Sequence, residues 1–208
     1  MKKKNIFITI GVIVLILIGV VSFLLIDKDD KKDSNNKVNE DAKKFSAEYK
    51  TIDEDNVFVY RDIDEIIRIM EKGTGVVYLG FPECPWCGAY VKYLNEVAKE
   101  VGIEKIYYYN ILNDRKDETE EYKKILDILG DNLQNDEEGN PRVYVPNVSF
   151  HIDGEVIGND CETSLDTHNL EKPEDYWTDE EVKDLKETLT KYMEKIYLEL
   201  NLCTDCNK

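Results

Sequence analysis

Two histidines, five cysteines and a shortage of positive charge mark this chain of 208 residues. Lysine and arginine number 27 against 44 aspartates and glutamates, a formal net charge of −17. A surface so acidic repels nucleic acid and anionic lipid, which argues against DNA or RNA binding. The excess reads as a solvated acidic surface. There is no internal repeat. Gly73-Thr74-Gly75 is too short for a phosphate loop and is read as a turn. Neither His151 nor His168 stands near a cysteine pair; His168 is assigned to a loop and His151 to the exposed face of a strand. Segment 27–50 lacks large apolar groups almost entirely, so it has too little to bury to offset the entropy of ordering and is read as a tether.

What is present at the N-terminus is apolar. After "MKKK" the stretch Ile6 to Ile26 carries no charge and is long enough to cross a hydrocarbon layer of ~30 Å as a helix. It exceeds the ~7–15 residues usual for the apolar part of a cleaved signal and has no A-x-A-like site at its end, which favours an uncleaved anchor over a signal peptide. No cysteine near its end offers a lipid attachment point. Lysines flank both ends, so the charge asymmetry barely discriminates orientation. A short basic segment opening such a span resembles a bacterial export signal, which puts the N-terminus inside. The expected organisation is an anchor at 1–26, a polar linker at 27–55, a folded domain at 56–202 and a cysteine-containing tail at 203–208.

Within the domain the hydrophobic period switches repeatedly. "NVFVY" reads as a strand, and a helix follows with Ile63, Ile66, Ile67 and Met70 on one face, Asp62 as N-cap and Gly73 as its stop. "GVVYLGF" is a continuous apolar run suited to a central strand. Tyr90, Tyr93, Leu94, Val97 and Val101 recur at helical spacing; "EKIYYYNI" is a strand with two packed faces, and Tyr122, Ile125, Leu126 and Leu129 line another helix. A polar loop leads to two strands joined at Asp153-Gly154. The order is βαβαβαββ, closed by a long amphipathic helix with Thr178 and Glu181 as a capping box and Trp177 and Val182 as a hydrophobic staple.

The chemistry centres on "GFPECPWCGAY", residues 80–90. Two cysteines separated by two residues, after a strand and before a helix, fit a redox centre, a structural clip or half of a metal site. At a helix start Cys84 takes the N-cap position and Pro85 the first helical position, where its missing N–H costs nothing. The N–H groups of Trp86 and Cys87 are then available to the Cys84 sulfur, and with the helix dipole they favour a thiolate. Cys87, one turn inward, is expected to be buried and protonated. Glu83, beside Cys84, opposes the helix terminus by raising the thiol pKa. Trp86 is expected to be partly exposed and able to touch substrate. For zinc, Cys203 and Cys206 complete a formal set of four thiols. The two pairs, however, lie more than a hundred residues apart, against roughly 15–20 in the usual knuckles. Cys203 and Cys206 form either a frayed tail or a candidate second redox pair relaying electrons to Cys84 and Cys87. Cys161 stands alone in "GNDCETSL", and its pairing with the tail stays open.

A strand ending in C-x-x-C, entering a helix and followed later by an X-Pro step before an antiparallel hairpin, resembles the thioredoxin fold. The likeness spans about residues 56–158 and the last helix. It implies an α/β domain with a central mixed sheet flanked by helices, a cis peptide at Val145-Pro146 against the cysteine pair, Cys84 as nucleophile and Cys87 as resolving thiol. "YLGFPECPWC" with "VPNV" is most similar to the small thioredoxin-like proteins of Gram-positive bacteria called bacteriocin transport accessory proteins. Two positions depart from thioredoxin: Glu83 replaces an aromatic residue and Tyr78 a buried carboxylate. Pro85-Trp86 is closer to the Pro-Tyr of glutaredoxins, but the acidic chain shows no basic pocket for the carboxylates of glutathione.

The expected protein is therefore a single-pass, membrane-anchored thiol-disulfide oxidoreductase with its catalytic domain outside the cytoplasm, where disulfides persist. Its partners are exported cysteine-containing proteins or peptides, bound along Pro85, Trp86, Val145 and Pro146, with a membrane redox protein as a further candidate. No metal or organic cofactor is needed. Two other readings stay open: an accessory or chaperone module that holds an exported peptide in the same groove, and a metal-binding domain.

Overall fold

The protein, as a computed structural model, is described for residues 37–161, 170 and 172–205, with the backbone alone at 174 and 203–205. It divides into two compact units, Met1–Glu40 and Asp41–Lys208. Of the first, only residues 37–40 are described, as the opening turn of helix α1 (residues 37–48). The expected membrane span at 6–26 lies outside the described residues, among which no helix is long and apolar enough to cross a membrane.

The second unit begins earlier than expected. The linker drawn to residue 55 must end before α1, because Ala42, Phe45 and Tyr49 are buried in the core. Their spacing of three and four residues puts them on one side of the helix, a stripe hidden among five charged neighbours from Asp41 to Lys50 when that segment is judged by composition. Phe45 stacks on Phe58 at 3.9 Å and on Tyr49 at 4.4 Å between ring centroids.

From there the chain runs β1 (Phe58–Tyr60), α2 (Ile63–Lys72), β2 (Gly75–Gly80), α3 (Pro85–Val101), β3 (Ile106–Asn110), α4 (Leu112–Asp117) and α5 (Glu120–Leu129). Then come a short hairpin, β4 (Gln134–Asn135) and β5 (Pro141–Arg142), the pair β6 (Asn147–Ile152) and β7 (Glu155–Asp160), α6 (Pro173–Tyr176) and α7 (Asp179–Asp205). The expected alternation holds. The additions are α4, α6 and the β4–β5 hairpin, elements too short for hydrophobic periodicity to register. Asp62 caps α2 by accepting the Glu65 N–H at 2.8 Å, and Thr178 accepts from the Glu181 N–H at 3.3 Å ahead of α7.

Five strands form one mixed sheet in the order β1-β3-β2-β6-β7. β3 runs parallel to both β1 and β2, whereas β6 is antiparallel to β2 and to β7. Helices cover both faces. Phe58, Val76, Tyr78, Ile106, Tyr108, Val148 and Phe150 pack with α1, α3 and α7. Val77, Leu79 and Val143 pack with Ile66, Ile67 and Met70 of α2 and Ile125 and Leu129 of α5. Because β6 lies inside the sheet and is covered on both sides, His151 is fully buried and not on an exposed face; its Nε2 lies 2.8 Å from the Ser149 hydroxyl. Strand alternation separates two environments, but both are interior here.

Candidate active site

β2 is the central strand, and its C-terminal end delivers the chain to the loop Phe81-Pro82-Glu83 and then to α3. The turn is local. Cys84 N–H donates to the Phe81 carbonyl at 3.2 Å, and the Cys84 carbonyl accepts from Gly88 N–H at 3.2 Å to open the helix. Cys84 is the N-cap, with extended backbone, and Pro85 occupies the first turn. The sulfur of Cys84 accepts the Cys87 N–H at 3.4 Å, so a donor orphaned by the helix start is satisfied by a thiol in place of the usual hydroxyl or carboxylate.

Cys87 lies beneath it, fully buried. Gly80 makes that burial possible: a Cβ there would stand 2.5 Å from the Tyr78 hydroxyl oxygen and 3.2 Å from Cys87 Sγ. Tyr78 and Gly80 point to the same side of β2, so the missing side chain leaves a slot that the phenol and the sulfur share. Tyr78 is itself fully buried, and its hydroxyl makes no hydrogen bond of ordinary geometry.

The opposite wall comes from the segment that precedes β6. Val145-Pro146 is cis, and the Cys84 thiol points at the Val145 carbonyl oxygen, 3.9 Å away. Arg115 of α4 donates to the Val143 carbonyl at 3.2 Å and lies over the Phe81 ring, 5.1 Å from its centroid. Its guanidinium therefore ties α4 to the segment carrying Val145 while presenting positive charge toward the cysteines. Trp86 is half-buried, and its ring meets Tyr176 of α6 edge-on at 5.8 Å. Pro85 and Glu83 are exposed.

These surroundings separate the two thiols electrostatically. Cys84 is lowered to about 7 by hydrogen bonding from Cys87, by the backbone N–H groups of Cys87 and Trp86 and by the Arg115 charge, against the opposing effect of burial. Glu83 does not reverse the helix terminus: its exposed carboxylate is screened by water. Cys87 is raised well above its ordinary value, first by burial and then by Cys84, with Tyr78 and the Phe81 backbone acting in the other direction. Near neutral pH this site offers a thiolate at the helix start and a thiol under it.

Cys84, Pro85, Trp86, Cys87, Val145 and Pro146 are thus together. Cys161 is elsewhere, receiving a hydrogen bond from Gln134 Nε2 at 3.1 Å. Helix α7 reaches Asp205, so the backbone of Cys203 belongs to its last turn and not to a tail beyond the domain. The Cys203 side chain and Cys206 lie outside the described residues. Among the described residues no three His, Cys, Asp or Glu side chains are gathered as metal ligands. Sequence reasoning missed Arg115 and Tyr176, which reach the site from other elements and carry no local signal. It passed over Tyr78 as a simple replacement, although its place two residues before Gly80 puts both on one strand face. Against models of known families, curated proteins and solved structures the chain gives no match.

Proposed function

We propose that the protein is a thioredoxin-like thiol-disulfide oxidoreductase of the bacteriocin transport accessory type, anchored through residues 6–26 with its domain outside the cytoplasm. The mixed five-stranded sheet flanked by helices, with the cysteine pair at the end of its central strand and a cis-proline segment opposite, supports the fold assignment. The observation that carries the function is the helix N-cap made by the Cys84 sulfur directly above a buried Cys87.

The chemistry follows from that stacking. The Cys84 thiolate attacks one sulfur of a substrate disulfide, forming a mixed disulfide and expelling the other substrate sulfur as a thiolate, which takes up a proton. Cys87 then loses its proton and attacks Cys84, releasing the second substrate thiol. The protein pair ends oxidised and the substrate reduced by two electrons; the reverse sequence oxidises a dithiol. The exported protein or peptide lies along Val145-Pro146 and over Trp86 while joined to Cys84.

Trapping tests this reading. Cys87→Ser in the full-length protein is expected to accumulate adducts with exported cysteine-containing proteins, seen as slow bands abolished by reductant, and Cys84→Ser none. A folded, expressed Cys87→Ser protein that traps nothing would favour a module that only holds exported peptides.

A further inference from the structure

Resolution of the mixed disulfide requires a thiolate to form at a buried sulfur. No cationic side chain is among the leading influences on Cys87; its own N–H serves the Cys84 sulfur, and the leading influences that favour the Cys87 anion are the Phe81 backbone and Tyr78. An uncompensated anion in such a place is costly, and a donor already positioned beside it removes much of that cost without reorganisation. The slot over Gly80 contains one such donor. Tyr78 Oη and Cys87 Sγ both border the point where a Gly80 Cβ would lie, at 2.5 and 3.2 Å, and the phenol is fully buried with a hydroxyl that makes no hydrogen bond of ordinary geometry. The ring is fixed by neighbours: it stacks on Tyr108 and Tyr90, at 5.7 and 6.3 Å between centroids, and meets Phe58 edge-on at 5.7 Å. A buried hydroxyl without an ordinary hydrogen bond costs stability, and a role at some stage of function is a reason for such a cost to persist.

We propose that Tyr78 is a catalytic residue of the resolving half-reaction, its hydroxyl rotating to donate a hydrogen bond to the Cys87 thiolate as that sulfur attacks Cys84. The inference rests on the oxidoreductase reading and adds a residue to it. In the step, the Cys87 S–H proton is lost, the bond between Cys87 Sγ and Cys84 Sγ forms, the bond from Cys84 to the substrate sulfur breaks, and the departing thiolate is protonated. Tyr78 keeps its own proton throughout. It acts as donor and not as base, since burial first, and then the neighbouring Cys87, hold its ionisation well above that of an exposed phenol. The first half-reaction does not use it, because the Cys84 sulfur already has the helix N–H groups.

A symmetric nitrobenzoate disulfide, whose thiolate is coloured, reads the two steps in sequence. The protein is the reduced full-length chain in detergent carrying Cys161→Ser, Cys203→Ser and Cys206→Ser. The first equivalent of colour reports attack by Cys84 and the second reports resolution by Cys87. With Tyr78→Phe the first phase is expected to stay within about twofold, while the second slows by about 10- to 100-fold, the range for losing one hydrogen bond to a charged group. The pH midpoint of the second phase should move upward. The thermal midpoint should change little, since the variant deletes a buried hydroxyl that makes no hydrogen bond of ordinary geometry. An unchanged second phase, or equal slowing of both phases with a loss of stability, would overturn the role of Tyr78. A first phase not due to Cys84 would instead sink the oxidoreductase reading itself.

Discussion

The two faces of the sheet solve the same packing problem with different chemistry. Under α2 and α5 the buried core is aliphatic, built from Ile66, Ile67, Ile69, Met70, Val77, Leu79, Ile125 and Leu129, with Tyr122 the single aromatic in the fully packed set. Under α1, α3 and α7 it is aromatic: Phe45, Tyr49, Phe58, Tyr78, Tyr90, Tyr108 and Phe150 all pack there, and so does Cys87. Aliphatic side chains fill space and offer no polar atom. Phenols fill more space each and bring a hydroxyl into the interior. The hydroxyls of Tyr49 and Tyr108 pair at 3.3 Å, and Tyr90 donates to Asp160 at 2.6 Å. A reactive thiol thus sits in the half of the core that is rich in phenol hydroxyls, and the other half supplies mainly aliphatic bulk.

The largest expected effect tests whether the aromatic half is the tighter one. Phe45→Ala removes a ring stacked on two others and should cost about 3–5 kcal/mol, while Ile125→Ala on the aliphatic face should cost about 2–5 kcal/mol. Urea unfolding compares them. A smaller loss for Phe45→Ala than for Ile125→Ala would break the contrast, and a negligible one would return α1 to the role of a tether.

The next effect concerns the polar insertion on the aliphatic side, the His151–Ser149 couple. Burial lowers His151 from 6.5 to about 4. Between those values the unfolded chain binds a proton that the folded chain does not. Stability is therefore lost as pH falls from 6.5 toward 4, by about 3 kcal/mol over the whole interval. Unfolding measured across that interval should show this slope in the parent protein and a reduced one in His151→Gln. Identical slopes would mean that the ring is hydrated.

The smallest effect is on the aromatic side. Burial raises Asp160, and the hydrogen bond from Tyr90 offsets this only in part. Above 3.8 the unfolded chain releases a proton that the folded chain retains, so the carboxyl subtracts stability as pH rises through its raised folded value. Asp160→Asn keeps an acceptor for Tyr90 and should raise the unfolding midpoint near neutral pH, with the gain vanishing below pH 3.8. A gain that persists in acid would assign the effect to packing.

Much of this arrangement is legible in the sequence because it depends on local rules. Asp62, Gly73, Cys84, Pro85 and Thr178 sit at helix ends, where a single side chain or a missing one decides the backbone. The run forming β2 is apolar over its whole length, and that forming β3 is so up to Asn110, as suits strands covered on both faces. What composition concealed was non-local. Ala42, Phe45 and Tyr49 follow helical spacing inside a charged segment, and Phe45 and Tyr49 are buried against residues of β1 and β3. His151 looks half-exposed by alternation until β7 and α2 are known to enclose it. Arg115 reaches the cysteines through a carbonyl contact with Val143, 28 residues away in sequence.

The central claim is that one turn of α3 divides two identical side chains into a nucleophile and a buried partner. Its most direct test is the pH dependence of alkylation under limiting reagent, with each cysteine quantified by mass spectrometry. The account predicts that Cys84 reacts first with a midpoint of about 7, while Cys87 stays unlabelled until the protein unfolds. Prior labelling of Cys87, or a Cys84 midpoint at the ordinary thiol value of 9.0, would contradict it.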